Sequence, residues 1–282
     1  RPQTVAVRAQ HGLAARQPYD PFADAKHAPV NGTRLAYVER GSGGTPLVFV
    51  HGSGADLRTW GYQLQFFAAT RRTLTYSRRF HHPNPPPEPG TLYTPEQHAA
   101  DLAEFIGRVA GGRADVVAAS YGGVVALMTA RDTPEVIRRL VVVEPVTFSL
   151  LDADSPEARA TAPLDLARRQ LLDGDAELAM RTFVSAIIAQ GAYELMPPTT
   201  RAMLHDSLVG LFAQSRTPMA TTGARYTCED VRRVAAPTLV VDGSASAPFL
   251  RAMARKVLEC LPHGESHTIA GVAHAAHAQQ VQ

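Results

Sequence analysis

Val116-Val117-Ala118-Ala119-Ser120-Tyr121-Gly122-Gly123-Val124-Val125-Ala126-Leu127-Met128 decides how the rest of the chain is read. Val116 to Ala119 is a short apolar run of strand type, and Val124 to Met128 opens a helix. The link between them leaves room only for a sharp bend, with Ser120 at its apex. Such a bend tolerates only small residues two positions before and two after the apex. Ala118 and Gly122 stand there, a G-x-S-x-G pattern with Ala in place of the first Gly. The bend lifts the serine oxygen to the C-terminal edge of a sheet. It also aims the free N–H groups of a helix N-terminus at any negative charge that develops beside it.

A second strand-and-loop unit lies upstream. Pro46-Leu47-Val48-Phe49-Val50 is apolar throughout and runs straight into His51-Gly52-Ser53-Gly54. With both pieces in this order, the chain resembles the α/β-hydrolase superfamily. The resemblance implies a serine nucleophile at Ser120. It also implies an oxyanion hole made by the backbone N–H groups of Ser53 and Tyr121, the usual source of a large share of rate enhancement.

A serine nucleophile needs a base, and the chain offers eleven histidines. The resemblance places the base near the C-terminus, after nucleophile and acid. His267 to Ala270 has the look of a last strand, and the loop Gly271-Val272-Ala273 delivers His274. His277 follows on a short helix, so His274 is the preferred base. Read as metal ligands, the two histidines lack a Glu between them and a Cys, Asp or Glu cluster nearby, so no metal is expected. The resemblance puts the acid three residues past Gly243, but Ser246 occupies that position. Glu144 and Asp242 are the two substitutes, each at the end of an apolar strand. Glu144 is preferred. A carboxylate directly after three valines is costly to desolvate unless a partner such as an imidazolium faces it. Haloalkane-dehalogenase relatives in the superfamily carry a Glu acid at this place.

Composition narrows the function classes. Apolar residues make up 45% of 282, enough for one large core, and the net charge of +2 points to no nucleic-acid partner. Lys26 and Lys256 are the only lysines and neither is near a motif, which argues against Ser–Lys and Schiff-base chemistry. Cys228 and Cys260 are too few for a disulfide framework and are expected to be idle thiols. No apolar run is long enough to span a membrane. The chain begins at Arg1 rather than Met, which leaves a removed export signal, and so the compartment, open.

Outward from the central bend, short apolar strands alternate with helices, the pattern of an α/β, doubly wound, mostly parallel sheet. Asn31-Gly32 marks a hairpin into the strand Arg34 to Val38. A helix is expected from Leu57 to Ala69, a strand over Thr73 to Tyr76, and a helix from Pro95 to about Val109 with Thr94 as its cap. Strands stop near Phe148 and resume at Pro237. Helical spacing marks Leu164 to Leu172, Ala176 to Ala189 and Arg201 to Phe212 in between. The expected organisation is an irregular lead-in over 1–28, a core over 29–147 and 228–282, and an inserted helical cap over 148–227.

His51, His82, Tyr121 and Phe148 flank these pieces and are candidates for the substrate pocket. Arg78-Arg79 is a candidate carboxylate clamp, with a solvated or structural pair the plainer reading. The expectation is a cofactor-free serine hydrolase that acts on a small ester or lactone with an apolar portion. C–C bond hydrolysis, perhydrolysis and acyl transfer use the same apparatus, and a non-catalytic ligand-binding relative is the rival from another class. A homodimer is left open.

Overall fold

The computed structural model describes residues 23–88, 91, 93–216 and 226–274. Most of the lead-in and His277 therefore lie outside the described residues. Among those described, eight strands form one sheet. They are β1 (Lys26–Val30), β2 (Thr33–Arg40), β3 (Leu47–Val50), β4 (Thr73–Tyr76), β5 (Ala114–Ala119), β6 (Ile137–Val143), β7 (Thr238–Gly243) and β8 (Gly264–Ile269). Their spatial order is β1-β2-β4-β3-β5-β6-β7-β8. The pairs β1–β2 and β2–β4 are antiparallel, and from β4 to β8 the sheet is parallel. Asn31 and Gly32 both have positive φ, as their hairpin requires. β1 begins at Lys26, so the sheet starts inside the segment read as lead-in.

The parallel strands are short and apolar because both faces are covered. All four residues of β3 are buried. Val48 and Val50 enter one core with Val116, Ala118, Leu140 and Val142. Leu47 and Phe49 enter a second core on the opposite face, where Phe49 stacks on Trp60 at 4.8 Å. A period of two along the strand thus feeds two layers.

Helix α1 (Gly61–Ala68) is preceded by a 3-10 turn over Leu57–Trp60, so the expected single helix is two pieces. Helix α2 (Pro95–Arg108) starts where the sequence marks it, with the Thr94 hydroxyl accepting from the Gln97 N–H at 3.2 Å. Helix α3 (Tyr121–Asp132) follows β5 directly and is almost wholly buried.

Between β6 and β7 come seven α-helices and no strand among the described residues; the first six are α4 (Pro156–Arg159), α5 (Ala162–Leu172), α6 (Ala176–Ile187), α7 (Ala192–Leu195), α8 (Pro198–Asp206) and α9 (Leu208–Arg216). The stretch from Arg201 to Phe212, expected as one helix, breaks at Ser207 into α8 and α9. These helices have their own small core around Leu171, Met180, Val184 and Tyr193. After them, α10 (Cys228–Arg232) precedes β7, and α11 (Pro248–Cys260) links β7 to β8. The thiol expectation is overturned here. Cys228 and Cys260 form a disulfide, with Cα atoms 5.3 Å apart. Folding brings the first residue of α10 against the last of α11, a proximity that a separation of 32 residues does not announce.

Candidate active site

The strand order fixes where a site can form. β4 lies on one side of β3 and β5 on the other, so the direction of winding reverses between β3 and β5. A crevice opens at the C-terminal ends of the strands at such a reversal. The loop after β3 and the bend after β5 border it.

At the bend, Ser120 has φ 55° and ψ −124°, a conformation that costs a non-glycine residue about 1–3 kcal/mol. The surroundings hold it there. The Ser120 N–H donates to the Val143 carbonyl at 2.9 Å, and the Ser120 carbonyl accepts from Gly123 at 2.9 Å and Val146 at 3.2 Å. Gly122 must be small, because a Cβ there would lie 2.5 Å from the His51 carbonyl oxygen. The bend and the 51–54 loop are therefore in direct contact.

The Ser120 hydroxyl donates to His274 Nε2 at 3.0 Å, and His274 Nδ1–H donates to Glu144 Oε2 at 2.6 Å. The carboxylate only accepts, which fixes the imidazole tautomer. Glu144 is fully buried at the end of β6, and its Oε1 accepts from the Gly243 N–H at 2.9 Å. Burial pushes this carboxyl up. The hydrogen bond and charge of His274, with the Gly243 N–H, outweigh burial and leave it below its ordinary value. Asp242, the other candidate, points elsewhere and pairs with Arg251 at 3.1 Å. Gly243 reaches the carboxylate through its backbone N–H, whereas the Asp242 side chain stands out of the sheet toward Arg251 on α11.

His274 is delivered by a pinned loop. The Val272 carbonyl accepts from the Ala245 N–H at 2.9 Å, and the Gly271 N–H donates to Ser244 Oγ at 2.8 Å. A Cβ on Gly243 would lie 2.3 Å from the Val272 oxygen, so glycine is needed at the end of β7 for this approach. The sequence reading used Gly243 only as a landmark. Its position, where an apolar strand ends opposite a Gly-x-x-His loop, was the available signal. Ser246 is buried on the loop after β7, where its hydroxyl adds to the groups that hold the Glu144 carboxyl down.

Ser53, Ser120, Tyr121 and His274 face a cavity of about 100 Å³. Val146, Phe148, Phe249 and Leu250 form its apolar flank, and α5, α6 and α9 close it with Leu164, Leu171, Met180, Phe183, Ile187 and Leu211. Arg168, Gln214 and Ser215 are the polar groups on that helical wall. Phe148 and Tyr121 thus lie where the sequence reading put them. His51 and His82 do not line the cavity, and both expectations are corrected. The His51 ring is fully buried behind the loop, where its Nδ1–H donates to the Gly52 carbonyl at 2.9 Å and its Nε2 accepts from the Arg78 N–H at 2.9 Å. His82 is not among the residues that line the cavity, and its backbone carbonyl accepts from Ser77 Oγ at 2.7 Å. Arg78 and Arg79 are not solvated. Arg79 forms a buried pair with Asp101 at 2.7 Å, and Arg78 binds backbone and Tyr93.

Comparison with known proteins agrees with this architecture. Residues 47–281 match the model of the alpha/beta hydrolase family. The dihydrolipoyllysine-residue acetyltransferase component of the acetoin cleaving system of Cupriavidus necator is 29% identical over 218 residues, 73% of this chain and 56% of that protein. The chain therefore spans little more than half the length of that curated relative. Among solved structures, "Est816 as an N-Acyl homoserine lactone degrading enzyme" superposes with a TM-score of 0.73 at 21% identity, covering 90% of this chain and 95% of the other. An alpha/beta hydrolase from Sphaerobacter thermophilus DSM 20745 superposes with a TM-score of 0.63 at 26% identity, covering 90% and 97%. No helix among the described residues is long and apolar enough to cross a membrane. With its mostly parallel sheet, its serine-bearing bend and a family match that covers most of its length, this chain belongs to the alpha/beta hydrolase family.

Proposed function

We propose that this protein is a serine hydrolase that cleaves a carboxylic ester or lactone with an apolar portion. The observation that carries the reading is the unbroken relay from Ser120 through His274 to Glu144, at 3.0 and 2.6 Å, opening on an apolar cavity. Ser120 Oγ attacks the carbonyl carbon as His274 Nε2 takes its proton. The N–H groups of Ser53 and Tyr121 hold the oxyanion. The tetrahedral intermediate collapses to an acyl-enzyme when the C–O bond breaks, and His274 returns its proton to the leaving alkoxide. His274 then activates a water that releases the acid and restores Ser120. Glu144 orients the imidazole and stabilises its charged form without taking the proton.

The helices inserted between β6 and β7 serve as a cap whose side chains receive the apolar portion of the substrate. Leu171, Met180 and Phe183 support an acyl chain or ring of modest size there. Names among the structural neighbours, an N-acyl homoserine lactone degrading enzyme and an enol-lactonase, fit a carbonyl–oxygen bond as the target. The acetyltransferase name of the Cupriavidus necator relative favours acyl transfer as the second reading, in which an alcohol or thiol replaces water.

Hydrolysis of p-nitrophenyl esters of graded acyl length tests the proposal. The expected result is turnover that peaks at a modest chain length and disappears in Ser120→Ala. Ligand-induced thermal stabilisation with no turnover at any length would instead make the protein a binding relative. An added alcohol that diverts product from acid to new ester would select acyl transfer.

A further inference from the structure

Arg78 lies two residues beyond β4 and is 1% exposed. Among the described residues no carboxylate stands within ion-pair distance of it. Its charge is spent instead on neutral oxygens of the loop that borders the crevice. Nε donates to the His51 carbonyl at 3.0 Å and Nη2 to the Gly52 carbonyl at 2.9 Å. The second contact matters for chemistry, because the Gly52 carbonyl and the Ser53 N–H belong to one peptide unit. That unit is planar, and its C=O and N–H point in opposite directions. A cation on the oxygen fixes the plane and so the direction of the N–H. It also draws electron density toward the oxygen, which strengthens the N–H as a donor.

Other contacts reinforce the grip. His51 Nδ1–H donates to the same Gly52 oxygen at 2.9 Å. Arg78 Nη1 donates to Tyr93 Oη at 2.6 Å, the Tyr93 hydroxyl donates to His81 Nε2 at 3.0 Å, and His81 Nδ1–H donates to the Ala55 carbonyl at 2.9 Å. The guanidinium carbon also lies 4.9 Å from the centre of the Tyr121 ring, on the residue that follows Ser120. One cation therefore grips the 51–54 loop through its backbone and the residue after Ser120 through its ring.

We propose that Arg78 is the positioning residue of the oxyanion site. It aims and polarises the Ser53 N–H through the Gly52–Ser53 peptide, anchors Tyr121 through its ring, and lends a buried, unneutralised positive charge to the developing oxyanion. This rests on the reading of Ser120 as nucleophile and of the Ser53 and Tyr121 N–H groups as oxyanion donors. Arg78 itself does not touch substrate.

The test compares an oxygen ester with its thiono analogue, whose C=S is a poor acceptor for oxyanion donors. In Arg78→Met, kcat on the oxygen ester is expected to fall about 100-fold with KM little changed, on the scale of losing one oxyanion donor. The thiono ester should lose far less, so the oxygen-to-thiono rate ratio should drop at least about tenfold. Arg78→Lys keeps charge without the two-pronged grip and should fall between. It decides the question if Arg78→Met does not fold. Folded variants with an unchanged ratio would overturn the role of Arg78, because a merely structural loss slows both esters alike. Wild-type protein without ester turnover, or turnover that survives Ser120→Ala, would overturn the reading of the site and the role of Arg78 with it.

Discussion

Glu144 accepts from both His274 Nδ1–H and the Gly243 N–H while fully buried, so one carboxylate sets the orientation of the imidazole. A carboxylate after Val141, Val142 and Val143 needs a buried partner, and His274 stands 2.6 Å from it. Its competitor Asp242 was equally visible in the sequence, and only the pleat of β7, which turns that side chain to Arg251, separates the two. The geometry predicts that Glu144→Gln lowers kcat by about 10³–10⁴-fold with folding retained, because the amide no longer stabilises the charged imidazole. Steady-state kinetics beside a circular-dichroism melt checks this, and Asp242→Asn should leave kcat near wild type. The reverse ranking would move the acid to Asp242. His51 and His82 were misplaced for a simple reason: nearness in sequence to the crevice does not say which way a ring points. His51 turns back to hydrogen-bond its own loop, where burial first and the Arg78 charge second hold its pKa well below the ordinary histidine value.

Among the elements, strands and helices with clear periodicity or caps were legible, and contacts between distant elements were not. β4 and α2 fall where apolar pattern and the Thr94-Pro95 start place them. The break between α8 and α9 falls at Asp206-Ser207, residues that favour helix starts over interiors, a local signal that the apolar spacing of the stretch masks. The disulfide is the clearest case, since only the packing of α10 against α11 brings Cys228 to Cys260. It closes a loop with a sequence separation of 32, for which chain entropy gives about 3–4 kcal/mol of stabilisation. The double variant Cys228→Ser/Cys260→Ser is therefore expected to unfold at lower denaturant by an amount worth about 2–4 kcal/mol. Ester turnover at low temperature should persist, because neither cysteine lines the cavity. Equal stability of variant and wild type in urea titrations would contradict that estimate.

Across the whole molecule, the reversal of winding between β3 and β5 was legible as a doubly wound pattern, whereas the polar network packed behind it was not. His51, His81 and His98 are fully buried, and desolvation, with the Arg78 charge next, holds all three well below their ordinary value of 6.5. An unfolded chain takes up a proton at each near 6.5, whereas the folded protein does not. Stability is therefore expected to fall as pH drops through 6.5, with a slope that approaches about 4 kcal/mol per pH unit for three protons. Urea unfolding at a series of pH values between about 6.5 and 5 measures that slope, and a value below one proton would contradict the buried, neutral assignment. The same fold gathers a hydroxyl from the middle of the chain, a carboxylate from the next strand and an imidazole from near its end. The most direct measurement of that central claim is reaction with a fluorophosphonate, followed by peptide mass mapping. The account predicts one adduct, on Ser120, formed quickly in the wild type and at a small fraction of that rate in His274→Ala. An adduct on another residue, or labelling of Ser120 at the same rate without His274, would contradict it.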